Sequence, residues 1–385
     1  MRVNALLGLL LAAQLPLAAD SAAAAACGPV VAQPLAEAPW PMARLRADYA
    51  WPLTTGAGVT VAVIDSGVSS DHPTLAGKVL PGTDLVTPGA GNCDENGHGT
   101  LIAGIIAGRQ NTSNGYLFQG IAPGANVVPV RVLRDQRRTF EQEMPGRIAA
   151  AIRFAVDQGG ARVINLSLST IDNPELASAV RYALDRGVVL VAAAGNESSP
   201  DAPVFPAAYE GVIGVAAIDR QDKHVGTSTA GPHVDLAAPG VQIAGPSPAG
   251  GGYLFSEEGG TSFAAAYVSG VAALIRSYDP SLTPQQVARR LTDTADHPAE
   301  IWNAAVGFGV VNPQRAVGAL RTQAAEPPPA AQVVPEQPDP DPLRHAKSVA
   351  TIVAVSGAGA VILALLGVAG WRRGRARGWR PSRFR

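Results

Sequence analysis

The chain is poor in several things, and each shortage excludes something. Its 385 residues include two cysteines, Cys27 and Cys93, so one bridge is the most it can form within itself. Positive charge is scarce over most of the length. Residues 27–343 carry 20 basic and 30 acidic side chains. A body of that sign is a poor partner for nucleic acid, which binds through cations that displace its counterions. Acids are missing altogether beyond Asp341, and charge of either sign is missing from Val349–Gly370. There is no internal repeat, which sets aside solenoids and propellers.

What is present begins with the two ends. Met1-Arg2 precedes an uncharged apolar stretch to Ala19 and then the small-residue run Ala22–Ala26. A positive start, an apolar core and small residues predict a cleaved secretory signal over 1–26. A retained N-terminal anchor is the alternative. Near the other end, the 22 uncharged residues of 349–370 would reach about 33 Å as a helix, enough to cross a hydrocarbon core of about 30 Å. Seven arginines follow, from Arg372 to Arg385, and predict a cytoplasmic tail over 371–385. The expected location is a cell membrane, crossed once, with the bulk of the chain outside. For an exported chain an even cysteine pair suggests a disulfide. A buried free thiol and a lipid on Cys27 compete with it. Against the lipid, Ala24-Ala25-Ala26 lacks the large aliphatic residue usual before such a cysteine.

Residues 27–50 form a short proline-containing extension, with Pro29, Pro34, Pro39 and Pro41. At about 24 residues it is shorter than the roughly 40 that an unassisted fold needs, so no autoinhibitory propeptide is expected. From Val59 the pattern becomes short apolar runs alternating with amphipathic stretches. Strands are predicted at 59–64, 126–133, 163–168, 188–194 and 211–218. Helices are predicted at 98–108, 147–158, 174–186 and 261–278, with one more opening at Thr283-Pro284. That alternation implies βαβ units and a mainly parallel sheet flanked by helices, an α/β fold over 51–321. Residues 322–348, with seven prolines between Glu326 and Pro342, read as an extended linker.

Three segments place a reactive side chain at the end of a regular element. Val61-Ala62-Val63-Ile64-Asp65-Ser66-Gly67 delivers a carboxylate at a strand's carboxyl end, where α/β sites collect. Asn96-Gly97-His98-Gly99-Thr100 sets a histidine between two glycines at the start of an apolar helix. Gly259-Gly260-Thr261-Ser262 opens the long helix with a serine after two glycines. A fourth, Val191 to Asn196, is a buried strand ending in an amide. Taken singly, each has a bland reading as a turn or cap residue. Their joint occurrence in this order does not.

The order Asp65, His98, Ser262 in these contexts resembles the subtilisin-like serine proteases, over roughly residues 51–320. The resemblance implies a subtilisin-like fold and a catalytic triad of Asp65, His98 and Ser262. It implies an oxyanion hole made by the Ser262 N–H and the Asn196 side chain. It also implies a substrate-pairing strand over Leu166, Ser167, Leu168 and Ser169, which binds an extended polypeptide. No cofactor and no metal are expected, and calcium sites are not legible. One departure is Ala266, where subtilisin-like enzymes usually carry proline.

Signal, extension, catalytic domain, proline-rich linker, single helix and basic tail, in that order, resemble the mycosins, membrane-anchored subtilases of type VII secretion systems. Cys27 and the Cys93-to-His98 segment resemble that family too. There the extension is stapled beside the catalytic histidine. The resemblance implies cleavage of secreted substrates and contact with subunits of the secretion membrane complex. A general surface protease and a chiefly structural subunit are the alternative readings.

Overall fold

A computed structural model describes residues 33–134, 142–196, 203–319 and 344–378. The expected signal peptide, Cys27 and most of the linker lie outside the described residues. The chain divides into two compact units, Met1–Arg321 and Thr322–Arg385.

The first unit opens with a short helix α1 (Trp40–Leu45). There follow β1 (Thr60–Asp65), β2 (Thr83–Asp84), α2 (His98–Ala107), β3 (Asn111–Ser113), β4 (Tyr116–Phe118) and β5 (Asn126–Arg131). Next come α3 (Met144–Asp157), β6 (Val163–Leu166), α4 (Pro174–Asp185), β7 (Val189–Ala193), β8 (Val212–Ile218) and β9 (Leu236–Pro239). The unit closes with β10 (Ile243–Pro246), β11 (Tyr253–Ser256), α5 (Thr261–Tyr278), α6 (Pro284–Asp293) and α7 (Pro313–Gly318).

Seven strands form one sheet in the order β2-β5-β1-β6-β7-β8-β9, and every pairing in it is parallel. Strands buried on both faces carry apolar side chains at every position, because the pleat sends neighbours to opposite sides. In β1, Val61 and Val63 enter the core shared with α2 and α5, while Ala62 and Ile64 enter the core shared with α3 and α4. The chain leaves β1 for β5 on one side and continues at β6 on the other. That reversal makes a crevice at the carboxyl edge, the usual place for a site in an open α/β sheet.

Helix α5 runs through the densest part of this core, buried from Phe263 to Arg276 without a break. Ala266 sits inside it fully buried, and its N–H keeps the helix continuous where proline would interrupt it. The Asn114-Gly115 turn joins β3 to β4 as a hairpin. Residues 33–50 lie on the body: Leu35 is fully buried with Phe118 and Tyr253. Trp40 Nε1 donates to the Val241 carbonyl at 2.9 Å. Arg44 bridges Asp222 and Asp296 at 2.8 and 3.0 Å.

The second unit contains α8 (Arg344–Ala376), longer at both ends than the uncharged run that announced it. Within it Val349–Ala376 is long and apolar enough to cross a membrane, by length and composition.

Candidate active site

Asp65 is the last residue of β1 and fully buried. Its Oδ1 accepts from His98 Nδ1 at 2.7 Å and from the Ser66 N–H at 2.7 Å, and Ser66 Oγ lies 3.1 Å from it. Its Oδ2 has no partner among the described residues. His98 is the first residue of α2, with 11% of its side chain exposed. Two glycines make that placement feasible. Gly97 turns the chain at φ +90°, and a Cβ on Gly99 would fall 2.1 Å from the Gly67 carbonyl oxygen. The helix start is therefore pressed onto the turn after β1, and 33 residues of chain close into one hydrogen bond.

Burial opposes a charge on His98, but the charge and hydrogen bond of Asp65, with a smaller push from the charge of Asp94, outweigh it. The imidazole titrates above its ordinary value. The Phe263 ring packs 5.6 Å from the imidazole.

Ser262 is the second residue of α5, where backbone N–H groups have no partner within the helix. Its Oγ donates to the Ser167 carbonyl oxygen at 3.2 Å, and Ser167 Oγ donates back to the Ser262 carbonyl oxygen at 2.8 Å. Asn196 follows β7. Its Oδ1 accepts from the Thr261 N–H at 2.8 Å and from Thr261 Oγ1 at 2.9 Å. A backbone N–H needs an acceptor, so Thr261 fixes which way the amide faces. The NH2 end is the one left to donate.

His98, Asn196 and Ser262 line one cleft of about 650 Å³, together with Ser167, Leu168 and Ser169. The Leu166 side chain is fully buried in the core beside α3 and α4, because the pleat turns it away from the cleft. Strand β6 also ends at Leu166, two residues before its predicted end, since Ser167 turns to bond the start of α5. Beyond it Thr170 pairs with Phe205 across an antiparallel bridge. Apolar walls that sequence reasoning did not find are Ile171, Val204, Phe205, Leu254 and Phe255. They come from loops and from β11, and no motif marks them. Cys93 lies in the loop before His98, whereas its expected partner Cys27 is outside the described residues. Among the described residues no cluster of three or more His, Cys, Asp or Glu is placed to hold a metal.

The subtilase family model matches residues 56–309. Thermitase of Thermoactinomyces vulgaris is 41% identical over 66% of this chain and 86% of its own length. Mycosin-4 of Mycobacterium tuberculosis is 37% identical over 83% of this chain and 78% of its own. A solved structure of the MycP3 protease from the type VII (ESX-3) secretion system superposes with a TM-score of 0.66. It has 35% identity and covers 74% of this chain and 89% of that one. The mycosin match covers more of the chain than the thermitase match. With its parallel sheet, Asp65, His98 and Ser262 in that chain order and these relatives, the protein belongs to the subtilase family and is a serine endopeptidase similar to the mycosins.

Proposed function

We propose that this chain is a membrane-anchored endopeptidase that uses Asp65, His98 and Ser262 as one catalytic unit. Its substrate is an extended polypeptide segment presented at a type VII secretion system. The observation that carries the reading is the 2.7 Å Asp65–His98 pair at the edge of a cleft that Ser262 and Asn196 also line.

A serine hydroxyl is a weak nucleophile at neutral pH and needs a base within reach. When substrate enters, Ser262 Oγ gives up the Ser167 carbonyl and donates to His98 Nε2. It attacks the scissile carbonyl while the imidazole takes its proton, and the imidazole later hands that proton to the leaving amine. Asp65 fixes the tautomer with Nδ1 protonated and stabilises the imidazolium. The oxyanion is met by the Ser262 N–H at the start of α5 and by the Asn196 NH2. The main chain of Ser167–Ser169 pairs with the substrate backbone, so recognition rests largely on extended conformation.

The secretion role draws on the mycosins and on the MycP3 protease from the ESX-3 system. The apolar helix in Val349–Ala376 would tether the enzyme beside a channel and let it dock on membrane subunits. Labelling with a serine-reactive phosphonate tests the chemistry. It is expected in the native protein and absent in Ser262→Ala; labelling that survives in the variant overturns the assignment.

A further inference from the structure

A second buried carboxylate stands behind the base. Asp94, four residues before His98, is fully buried and accepts four hydrogen bonds. Its Oδ1 takes Ser66 Oγ at 2.8 Å, the Gly97 N–H at 2.8 Å and the Asn96 N–H at 3.3 Å. Its Oδ2 takes the Thr100 N–H at 2.8 Å. Gly97, the cap position of α2, has no side chain to satisfy the helix's free N–H groups, and Asp94 does so from outside. Ser66 serves the same turn, because its Oγ accepts from the Gly99 N–H at 3.0 Å.

Ser66 carries one hydroxyl proton and sits between two carboxylates. It is closer to Asp94, at 2.8 Å, than to Asp65, at 3.1 Å. A proton directed at Asp94 turns the hydroxyl's negative end toward Asp65 Oδ1, the atom that receives His98 Nδ1–H. The Asp65 oxygen is thereby kept a strong acceptor.

We propose that Asp94 is a positioning residue for the proton transfer: it locks the first turn of α2 and orients Ser66, and so holds His98 against Asp65. This rests on His98 being the base. The charge of Asp94 adds to that of Asp65 in pushing the imidazole's titration upward. The other charges flanking this turn, Glu95 and Arg131, pair with each other at 3.1 Å, and Arg131 also pairs with Asp84. Phe263, packed on the imidazole from α5, is neutral.

The test compares Asp94→Asn, Ser66→Ala and His98→Ala with the native full-length protein, using hydrolysis of a peptidyl anilide across pH. Asp94→Asn keeps the shape, loses the charge and gives up one of the two oxygens that accept backbone N–H groups. Its kcat is expected to fall by about ten- to a hundredfold, with KM within about twofold. The acid limb of its kcat/KM profile should move to lower pH. Ser66→Ala leaves Asp94 bonded to Gly97 and Thr100 and releases only the Gly99 N–H, so most of the helix cap survives; its kcat should fall with KM held. A helix cap with no part in positioning would lower the melting temperature and leave the acid limb in place. An unmoved limb in Asp94→Asn, or native kcat in Ser66→Ala, overturns the inference. Should Asp94→Asn not fold, Ser66→Ala decides alone. An inactive His98→Ala with unaffected Asp94→Asn removes only this inference, whereas an active His98→Ala removes the triad beneath it.

Discussion

Ser167 and Ser262 exchange hydrogen bonds, each hydroxyl reaching the other's carbonyl oxygen, at 2.8 and 3.2 Å across 95 residues of chain. The exchange ties the end of β6 to the start of α5. It continues inward, since Asn165 Nδ2 donates to Ser167 Oγ at 2.8 Å and Ser269 Oγ donates to Asn165 Oδ1 at 2.9 Å. Ser262, the proposed nucleophile, is thus registered against the segment expected to pair with substrate. Ser167→Ala would leave the Ser262 carbonyl and the Asn165 amide short of a partner, at about 1–3 kcal/mol for such a loss. A lowered melting temperature and a reduced kcat are expected together. Native values of both would show that the exchange carries no strain-bearing role.

Triad variants give the second prediction. Asp65→Ala, His98→Ala and Ser262→Ala should each lose most of kcat, and a double variant should be little worse than the poorer single, because the three act as a unit. Asn196→Ala should lose about 10²–10³, the cost of one such donor in a subtilisin. The reaction needs the neutral imidazole, and Asp65 and Asp94 raise its titration above the ordinary histidine value. Activity should therefore rise with pH through a point above that value. Asp65→Asn, which removes the carboxylate with the larger effect on His98, should shift the limb to lower pH.

Much of this was legible beforehand, for a physical reason. Strands buried on both faces are short, apolar and β-branched, so β1, β5, β7 and β8 fall within a residue or two of their predicted bounds. Helix α5 matches its prediction at both ends. Helix α3 starts three residues early, at Met144, because Pro145 fills a first-turn position that needs no N–H. The β3–β4 hairpin was missed although Asn114-Gly115 is a hairpin signal. The motif residues Asp65, His98, Asn196 and Ser262 could be read because their glycines and strand ends are local. Asp94 could not, since its partners Ser66 and Thr100 are joined to it only by the fold. The cleft walls Ile171 and Phe255 were hidden likewise.

Asp235 gives a prediction about stability. It accepts from the Gly214 N–H at 2.8 Å, and burial raises its carboxyl to about 6. A carboxyl that holds its proton more tightly when folded stabilises the fold most below its unfolded value, near 4. That contribution disappears as pH rises toward 6. Asp235→Asn keeps an acceptor for Gly214 without the charge. It should therefore be more stable than the native protein at pH 7, by on the order of 1–3 kcal/mol, and gain nothing at pH 4. Denaturant midpoints at the two pH values check this.

The N-terminal extension should stay in place in the active enzyme. None of residues 33–50 lines the cleft, while Leu35, Trp40 and Arg44 are packed or paired on the body. Purified protein that retains this segment is expected to hydrolyse peptides, and activity appearing only after its removal would contradict that. A Cys27–Cys93 bridge would add about 4 kcal/mol through a closed loop of about 66 residues on the chain-entropy account. Mass spectrometry of the unreduced protein should find the linked peptides, whereas two free thiols or a lipid on Cys27 would exclude the bridge.

The last prediction separates catalysis from assembly. Positive residues beside a membrane span stay on the cytoplasmic side, so the seven arginines after the uncharged run 349–370 would leave the catalytic unit outside. A membrane tether would suit a substrate emerging from a neighbouring pore. It would also let the body bind channel subunits whether or not Ser262 reacts. Deletion of the gene should therefore abolish type VII export, whereas Ser262→Ala should leave export intact and block substrate processing alone. Export that fails equally in both strains would make catalysis, not docking, the essential contribution. A deletion strain that exports every substrate normally would leave a general surface protease in its place.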